Sequence, residues 1–495
     1  MMHANEALDA AARELLNAMA DPNRLTPKQR VAIPQQDMPS QCPEDRVRNT
    51  SEVALGYTPA MARVEAMRCL QCANKPCVAG CPVSIDIPGF VAAIAEGRDA
   101  DAIAVIKTAS LLPSVCGRVC PQESQCMAHC TLGRILKDVM KSVAIGRLER
   151  FAADVERASG HMAPPSVRPE TGKKVAVIGG GPASITFAVD VRREGHAVTV
   201  FEALQKPGGV LMYGIPEFRL PKSIVEQEVD NLRQMGVSIE THFVVGRSRP
   251  LRALIETDGY SAVFIGTGAG LPKFMEIPGE NLVGVYSANE YLTRANLMRA
   301  YDTERADTPI ARGRRVAVLG GGNVAMDAAR TALRLGAEHV FLVYRRTEAE
   351  MPARVEEVHH AREEGVTFCL LQNAVRVLGD DQDRVTGLEC LHYELGEPDA
   401  SGRRRPVAIA GSEFVLDVDS VIVAIGNASN PLIPATTPEI EVDRQGRIRV
   451  DAQNETSMPG VYAGGDIVLG AATVILAMGE GRRAAAAVNA RLAAG

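Results

Sequence analysis

Two stretches of the chain repeat one pattern of apolar and polar positions. Residues 173–203, KKVAVIGGGPASITFAVDVRREGHAVTVFEA, run a continuous apolar segment into a glycine turn, then apolar residues at helical spacing, then a second apolar segment ending at Glu202. That order predicts strand, turn, helix and strand. Residues 314–346, RRVAVLGGGNVAMDAARTALRLGAEHVFLVYRR, restate it, so two βαβ units are expected. Two shorter apolar segments closed by glycine, AVFIGTGAG (262–270) and SVIVAIGNAS (420–429), predict crossovers between two domains, one inserted within the other. Before residue 160 the pattern is helical and loop-like, and HMAPPSVRPETG (161–172) predicts a Pro-rich linker. The expected fold class is α/β, with two Rossmann-like dinucleotide-binding domains preceded by a mainly helical domain. Boundaries are expected at 1–165 for the helical domain, 172–295 with 421–495 for one dinucleotide domain, and 296–420 for the other.

Composition changes this picture little. At 495 residues the chain is too long for a single core, and 46% hydrophobic with 23% charged residues places it among folded globular proteins. A net charge of −6 with no long basic stripe excludes nucleic acid and anionic membranes as expected partners, and Arg403, Arg404 and Arg405 read as a solvated hairpin. The N-terminal stretch scatters acidic residues through an amphipathic pattern, which is not that of a signal peptide. No run approaches eighteen uninterrupted apolar residues, so no bilayer span is expected. A cytoplasmic location follows as the expectation, and there thiols stay reduced and structural disulfides are disfavoured.

Eight of the eleven cysteines fall between Cys69 and Cys130. One run holds Cys69, Cys72, Cys77 and Cys81 with Pro82 behind it; the other holds Cys116, Cys120 with Pro121, Cys126 and Cys130. Clustering of that kind is ligand behaviour. Zinc also accepts four thiolates, commonly from two separated C-x2-C pairs. Three close cysteines, then another followed by Pro, better match the iron–sulfur run whose last Cys serves a second cluster. Cys369 and Cys390 read as small buried apolar residues. No C-x-x-C lies near the βαβ units, which argues against a dithiol relay.

Each glycine turn follows an apolar strand and opens a helix, the context a dinucleotide site requires. Gly179 permits the sharp turn, Gly181 lets the backbone approach a pyrophosphate, and the helix start at Pro182 and Ala183 supplies unpaired N–H groups. Ser184 replaces the usual third glycine and is expected to widen the helix–strand contact slightly. Glu202 ends the second strand, where a carboxylate accepts both ribose hydroxyls and repels a 2′-phosphate. The second turn has Gly320, Gly322, Asn323, Val324 and Ala325, with Tyr344 at the place of Glu202 and Arg345 and Arg346 behind it. Paired guanidinium groups there suit a 2′-phosphate, against the plainer reading of two solvated arginines. FAD on the first unit and NADPH on the second make hydride transfer the expected chemistry, with no catalytic acid or base among the side chains.

RCLQCANKPC, VCGRVCPQ, GKKVAVIGGGPA, YGIPEFRLPK, VYRRTEAEMPA, GEPDASGRRRP and AGGDIVLGAATVILAMGEGRRAA, in this order, resemble the NADPH-oxidising small subunit family of bacterial glutamate synthase over nearly the whole length. The chain is also similar to the large subunit of the electron-bifurcating NADH-dependent ferredoxin:NADP oxidoreductase and to the N-terminal part of dihydropyrimidine dehydrogenase. The resemblance implies a glutathione-reductase-like arrangement of the FAD and NADPH domains and two [4Fe–4S] clusters in the helical domain. By it, Cys69, Cys72, Cys77 and Cys130 hold one cluster, and Cys81, Cys120 and Cys126 hold the other with Glu149 as fourth ligand or Cys116 in its place. It further implies that Gly464, Gly465 and Asp466 approach the FAD phosphates and ribitol, that Ala472, Thr473 and Val474 approach the flavin ring, and that the segment with Gly209 and Gly214 lines it.

The resemblance also implies an electron-accepting partner subunit: a glutamate synthase large subunit, or a small ferredoxin-reductase-like flavoprotein with ferredoxin. Nothing in this chain offers a glutaminase nucleophile or an FMN barrel, so glutamate synthesis by the chain alone is not expected. A bifurcating enzyme, a stand-alone sulfide or polysulfide reductase and a non-catalytic redox scaffold or sensor are the competing readings.

Overall fold

The computed structural model describes residues 2–19, 24–160, 162, 164–310, 312–399 and 402–494. Val175 to Ile178 are buried on both faces, as the continuous apolar run requires of a central parallel strand. The sheet built on them has the order Val461–Ala463, Ala262–Ile265, Lys174–Ile178, Ala197–Phe201, Ser238–Glu240, parallel throughout. Helix Pro182–Arg193 packs against the C-terminal helix Val474–Ala494. A Cβ at Gly481 would stand 2.3 Å from the carbonyl oxygen of Ala183, so only glycine allows that approach.

The second parallel sheet has the order Val285–Ser287, Ser420–Val423, Arg315–Leu319, His339–Tyr344, Thr367–Leu370. This moves the expected boundaries. Val285–Ser287 falls in the second sheet although 172–295 assigned it to the first domain, and Ser420–Val423 joins it across the expected break at 421. The reason is physical: an apolar strand reads the same whichever sheet it enters, and its partner decides. The two crossovers between the sheets run side by side, Leu271 opposite Ala428 and Pro272 opposite Asn427. Four antiparallel strands, Gln372–Gly379, Val385–Pro398, Arg404–Ala408 and Phe414–Leu416, extend the second domain; Arg403 directly precedes the third of them, and Arg404 and Arg405 open it.

The helical region encloses its own core. Thr58 caps helix Pro59–Met67 by accepting from Met61 N, with Pro at the first helical position. Helix Ile145–Ser159 buries Ile145, Leu148, Phe151 and Ala152 and stops at Gly160, φ +71°. Ahead of these, the segment 41–54 leaves the helical core. Val53 N donates to Phe218 O at 2.9 Å, and Arg46 enters the second dinucleotide domain. Among the described residues no helix is long and apolar enough to cross a membrane.

Candidate functional site: two cradles and two thiol groups

Gly179 holds φ +94°, and a Cβ there would stand 2.6 Å from Gly266 O, so the turn accepts nothing larger. Gly181 is the opposite case: a Cβ would meet nothing nearer than Gly209 Cα at 4.0 Å, which leaves open space at the N-terminus of Pro182–Arg193. The expected widening at Ser184 does not arise by displacement. Ser184 is buried against Gly266, whose missing side chain makes the room. The Glu202 carboxylate accepts from Gly180 N at 2.7 Å and Leu204 N at 2.8 Å, and burial pushes its pKa up.

Three distant segments close on this turn. Gly209, φ +55°, lies against Gly181, and a Cβ on Gly465 would be 3.0 Å from that of Ala183. Burial first, then the negative charges of Asp466 and Glu202, raise the Tyr213 hydroxyl to about 12. Burial raises Asp466 to about 6, and its Oδ1 accepts from Ala472 N at 3.3 Å, which ties Gly465–Asp466 to Ala472–Val474. Gly214 stands at the end of the short helix Val210–Tyr213, and its carbonyl accepts from Asn296. Lys222 steadies the same loop from beneath by donating to the carbonyls of Leu211, Ile215 and Leu220; burial lowers it to about 8. The positions expected to hold FAD are thus together, and the open space at Gly181 with the two buried acids fits a pyrophosphate and a polyhydroxyl chain.

The second turn repeats the geometry. Gly320, φ +141°, leaves 2.4 Å for a Cβ before Ala424 O, whereas at Gly322 the nearest atom would be Pro352 Cγ at 3.9 Å. Asn323 Oδ1 accepts from Arg354 N at 2.9 Å and Val324 is exposed. Tyr344 packs its ring on Gly321 and so occupies the place that Glu202 has in the first unit. The two arginines behind it differ. Arg345 is exposed and forms no ion pair among the described residues. Arg346 is buried, its Nε donating to Arg404 O at 2.7 Å and its Nη2 to Asp399 at 2.8 Å. The residues fit an NADPH whose 2′-phosphate meets one open guanidinium, where the sequence suggested two.

The cysteines separate into two groups. Cys69 is raised to about 11 by burial, then by Cys130 and Cys72; Cys77 is raised to about 12 by burial, then by Cys69 and Cys130. Cys81 and Cys126 are raised by burial, and each also feels Cys120 and Glu149. Among the described residues, no three His, Cys, Asp or Glu side chains approach closely enough to hold a single metal ion. The test of fit is Glu149. Its carboxyl is buried amid the second group, burial raises it to about 8, and Oε1 has no hydrogen-bond partner among the described residues. An orphaned acid among thiols fits a positively charged inorganic group. Cys116, its competitor, already donates its thiol to Met478 Sδ at 3.6 Å.

The second group lies against the first cradle. Gln125, next to Cys126, donates to Thr473 Oγ at 3.2 Å, and a Cβ on Gly479 would be 3.3 Å from Pro82 O. The first group lies nearer the surface, with Cys77 buried but Cys69, Cys72 and Cys130 half-buried, and Cys72 donates to Thr131 Oγ at 3.2 Å. Sequence reading missed Gln125, and it took in Tyr213 only as part of the segment 208–216 and Gly266 only as the glycine closing AVFIGTGAG. The position of Gln125 directly before Cys126 was its only signal.

Two family models match: residues 46–161 match "dihydropyrimidine dehydrogenase domain II, 4Fe-4S cluster", and residues 173–490 match "pyridine nucleotide-disulphide oxidoreductase". The small chain of NADPH glutamate synthase from Halomonas elongata is 39% identical over 92% of this chain and 96% of its own. The β subunit of the NADP(+)-dependent formate dehydrogenase of Moorella thermoacetica is 40% identical over 84% of this chain and 60% of its own. The fold of both dinucleotide domains is shared with FprA from Mycobacterium tuberculosis, solved in complex with NADPH, at TM-score 0.55 and 20% identity over 66% of this chain and 85% of that one.

Proposed function

From the premise that the chain belongs to the glutamate synthase small-chain family, we propose that it is an NADPH-dependent oxidoreductase that feeds an electron-accepting partner subunit. When bound, NADPH supplies a hydride, FAD accepts it as an electron pair, and two [4Fe–4S] clusters carry electrons singly. The residues provide position and charge. Gly179, Gly181, Gly465 and Asp466 hold the FAD phosphates and ribitol, Glu202 its adenine ribose, and Ala472, Thr473 and Val474 its ring. Gly320, Gly322, Asn323 and Val324 cradle NADPH, and Arg345 meets its 2′-phosphate. Cys69, Cys72, Cys77 and Cys130 bind one cluster; Cys81, Cys120, Cys126 and Glu149 bind the other. No side chain needs to move a proton in this scheme.

The observation that carries this reading is the hydrogen bond from Gln125 to Thr473, because it sets the second thiol group beside the first dinucleotide cradle. The partner we favour is a large amidotransferase subunit that makes glutamate from glutamine and 2-oxoglutarate, with the complex in the cytoplasm. The 40% identity to a formate dehydrogenase β subunit favours a second reading, in which a different acceptor chain takes the electrons. Anaerobic purification from the native host, with metal and sulfide analysis and mass spectrometry of copurifying chains, separates these. Zinc in place of iron and acid-labile sulfur would sink both.

A further inference from the structure

The helix Thr131–Leu136 leads away from Cys130, and its first residue accepts the thiol of Cys72. At its end Lys137 takes a left-handed conformation, φ +55°, and turns the chain into Val139–Lys141. Asp138 Oδ1 accepts from Met140 N at 2.9 Å and holds the turn, its negative charge standing between Lys137 and Lys141. A Cβ on Gly133 would stand 2.1 Å from Ser142 Oγ, so the helix seats tightly on the loop behind it. Three large apolar side chains point outward from this small platform: Ile135 is 53% exposed, and Val139 and Met140 are each 40% exposed. Arg134, Lys137 and Lys141 surround them, all exposed and none in an ion pair among the described residues. In a chain of net charge −6, whose arginines are mostly paired, this cluster stands out, and the exposed acid on the adjoining segment is Asp37.

An apolar centre ringed by three cations, which outnumber the acids Asp138 and Asp37 beside them, is the complement of a surface with an apolar centre and an acidic ring. A second copy of this chain would set like charges against each other. The span is short: four residues separate Thr131 from Ile135, about one helical turn. We propose that this platform is the docking face for an acidic electron-acceptor protein, which it brings over the first thiol group. The inference rests on the oxidoreductase reading above and, for the acceptor, on its second form, in which a chain other than an amidotransferase subunit takes the electrons. One NADPH reduces two one-electron acceptors docked in turn, with release of NADP and one proton.

The test uses the anaerobically purified, cofactor-loaded full chain with an acidic [2Fe–2S] ferredoxin as probe. Calorimetric binding without NADPH should weaken by ~10-fold or more when Arg134→Glu, Lys137→Glu and Lys141→Glu are combined, and when NaCl rises from ~20 mM to ~300 mM. Ile135→Ser should weaken it at both salt concentrations. NADPH-driven dye reduction should stay at the parent rate, reduction of a basic cytochrome c should rise in the triple variant, and Arg444→Glu, on a distant exposed turn, should change nothing. No binding by the parent at low salt, or equal binding by parent and triple variant, overturns the docking face while intact dye reduction leaves the oxidoreductase reading standing. A parent dimer dispersed by the same substitutions, with ferredoxin binding unchanged, also overturns it.

Discussion

Arg46 Nε lies 2.8 Å from Glu364 Oε1, with both side chains withdrawn from water and 318 positions apart in the chain. Arg46 comes from the arm of the helical region, and Glu364 from the second dinucleotide domain, where the same carboxylate also receives Arg330 and Arg334 at 2.7 Å each. Phe218 of the first domain lies under those two guanidinium groups, and Arg219 beside it pairs with Asp327 at 2.7 Å. All three regions therefore meet at one buried charge network, beside a cavity of ≈ 80 Å³ lined by Arg118, Arg354 and His360 among others. Buried pairs of this kind contribute mainly through what is lost when one member goes.

Arg46→Met should release the arm without unfolding the domain it touches, because Arg330 and Arg334 still neutralise Glu364. The expected cost is about 3 kcal/mol, the lower end for breaking a buried pair. Urea denaturation of the loaded chain measures it, and faster amide exchange confined to 41–54 shows where it falls.

The network should also set the acid limit of stability. Burial pushes Glu357 up, but Arg219 and Arg330 outweigh it and hold it at about 2; Glu364 is likewise held well below the usual range against its burial, chiefly by Arg330 and Arg334. Both folded values lie under the unfolded glutamate value of about 4.3, so their stabilisation is complete above that pH and is lost as pH falls toward the folded values. Asp327, raised to about 6 by burial and only partly countered by Arg219, works the other way between ~4 and ~6. Thermal midpoints should therefore drop steeply below pH ~4, and Glu357→Gln should flatten that slope.

Glu149→Ala should remove or alter one cluster and leave the other, whereas Cys116→Ser should retain both. Iron analysis of the parent should give about eight atoms per chain. Electron paramagnetic resonance of the reduced protein checks which signal changes; a Cys116→Ser protein that loses iron while Glu149→Ala keeps it would reverse the assignment.

Arg345→Ala should raise KM for NADPH about 10- to 100-fold and leave NADH use nearly unchanged, since a charge-assisted bond contributes about 1.5–3 kcal/mol. Arg346→Ala should instead lower the thermal midpoint, because its guanidinium ties Asp399 and the Arg404 carbonyl to the end of the strand His339–Tyr344. Steady-state kinetics with both nucleotides distinguish the two roles.

Local pattern was enough for the two glycine turns, their strands and helices, and the clustering of cysteines, because each rests on residues within about thirty positions of one another. Gly179 needs its positive φ whatever surrounds the domain, and Glu202 ends its strand at the same register as Tyr344 in the repeat. The resemblance carried further, to Gly465, Asp466 and the division of thiols, since motif order reports on a shared fold.

What the chain order alone determined, then, was the kind of parts: two strand, glycine-turn, helix and strand units, a thiol-rich helical region, and an acid after one strand where the other has a tyrosine and two arginines. Tertiary structure decided which parts touch. That Val285–Ser287 joins the second sheet, that Arg346 serves a hairpin while Arg345 stays open, that Ser184 fits because residue 266 is glycine, and that Gln125 meets Thr473 all depend on contacts between segments far apart in sequence. Such contacts are selected by packing and by the cost of leaving buried polar groups unpaired, and neither can be evaluated until the chain has closed on itself.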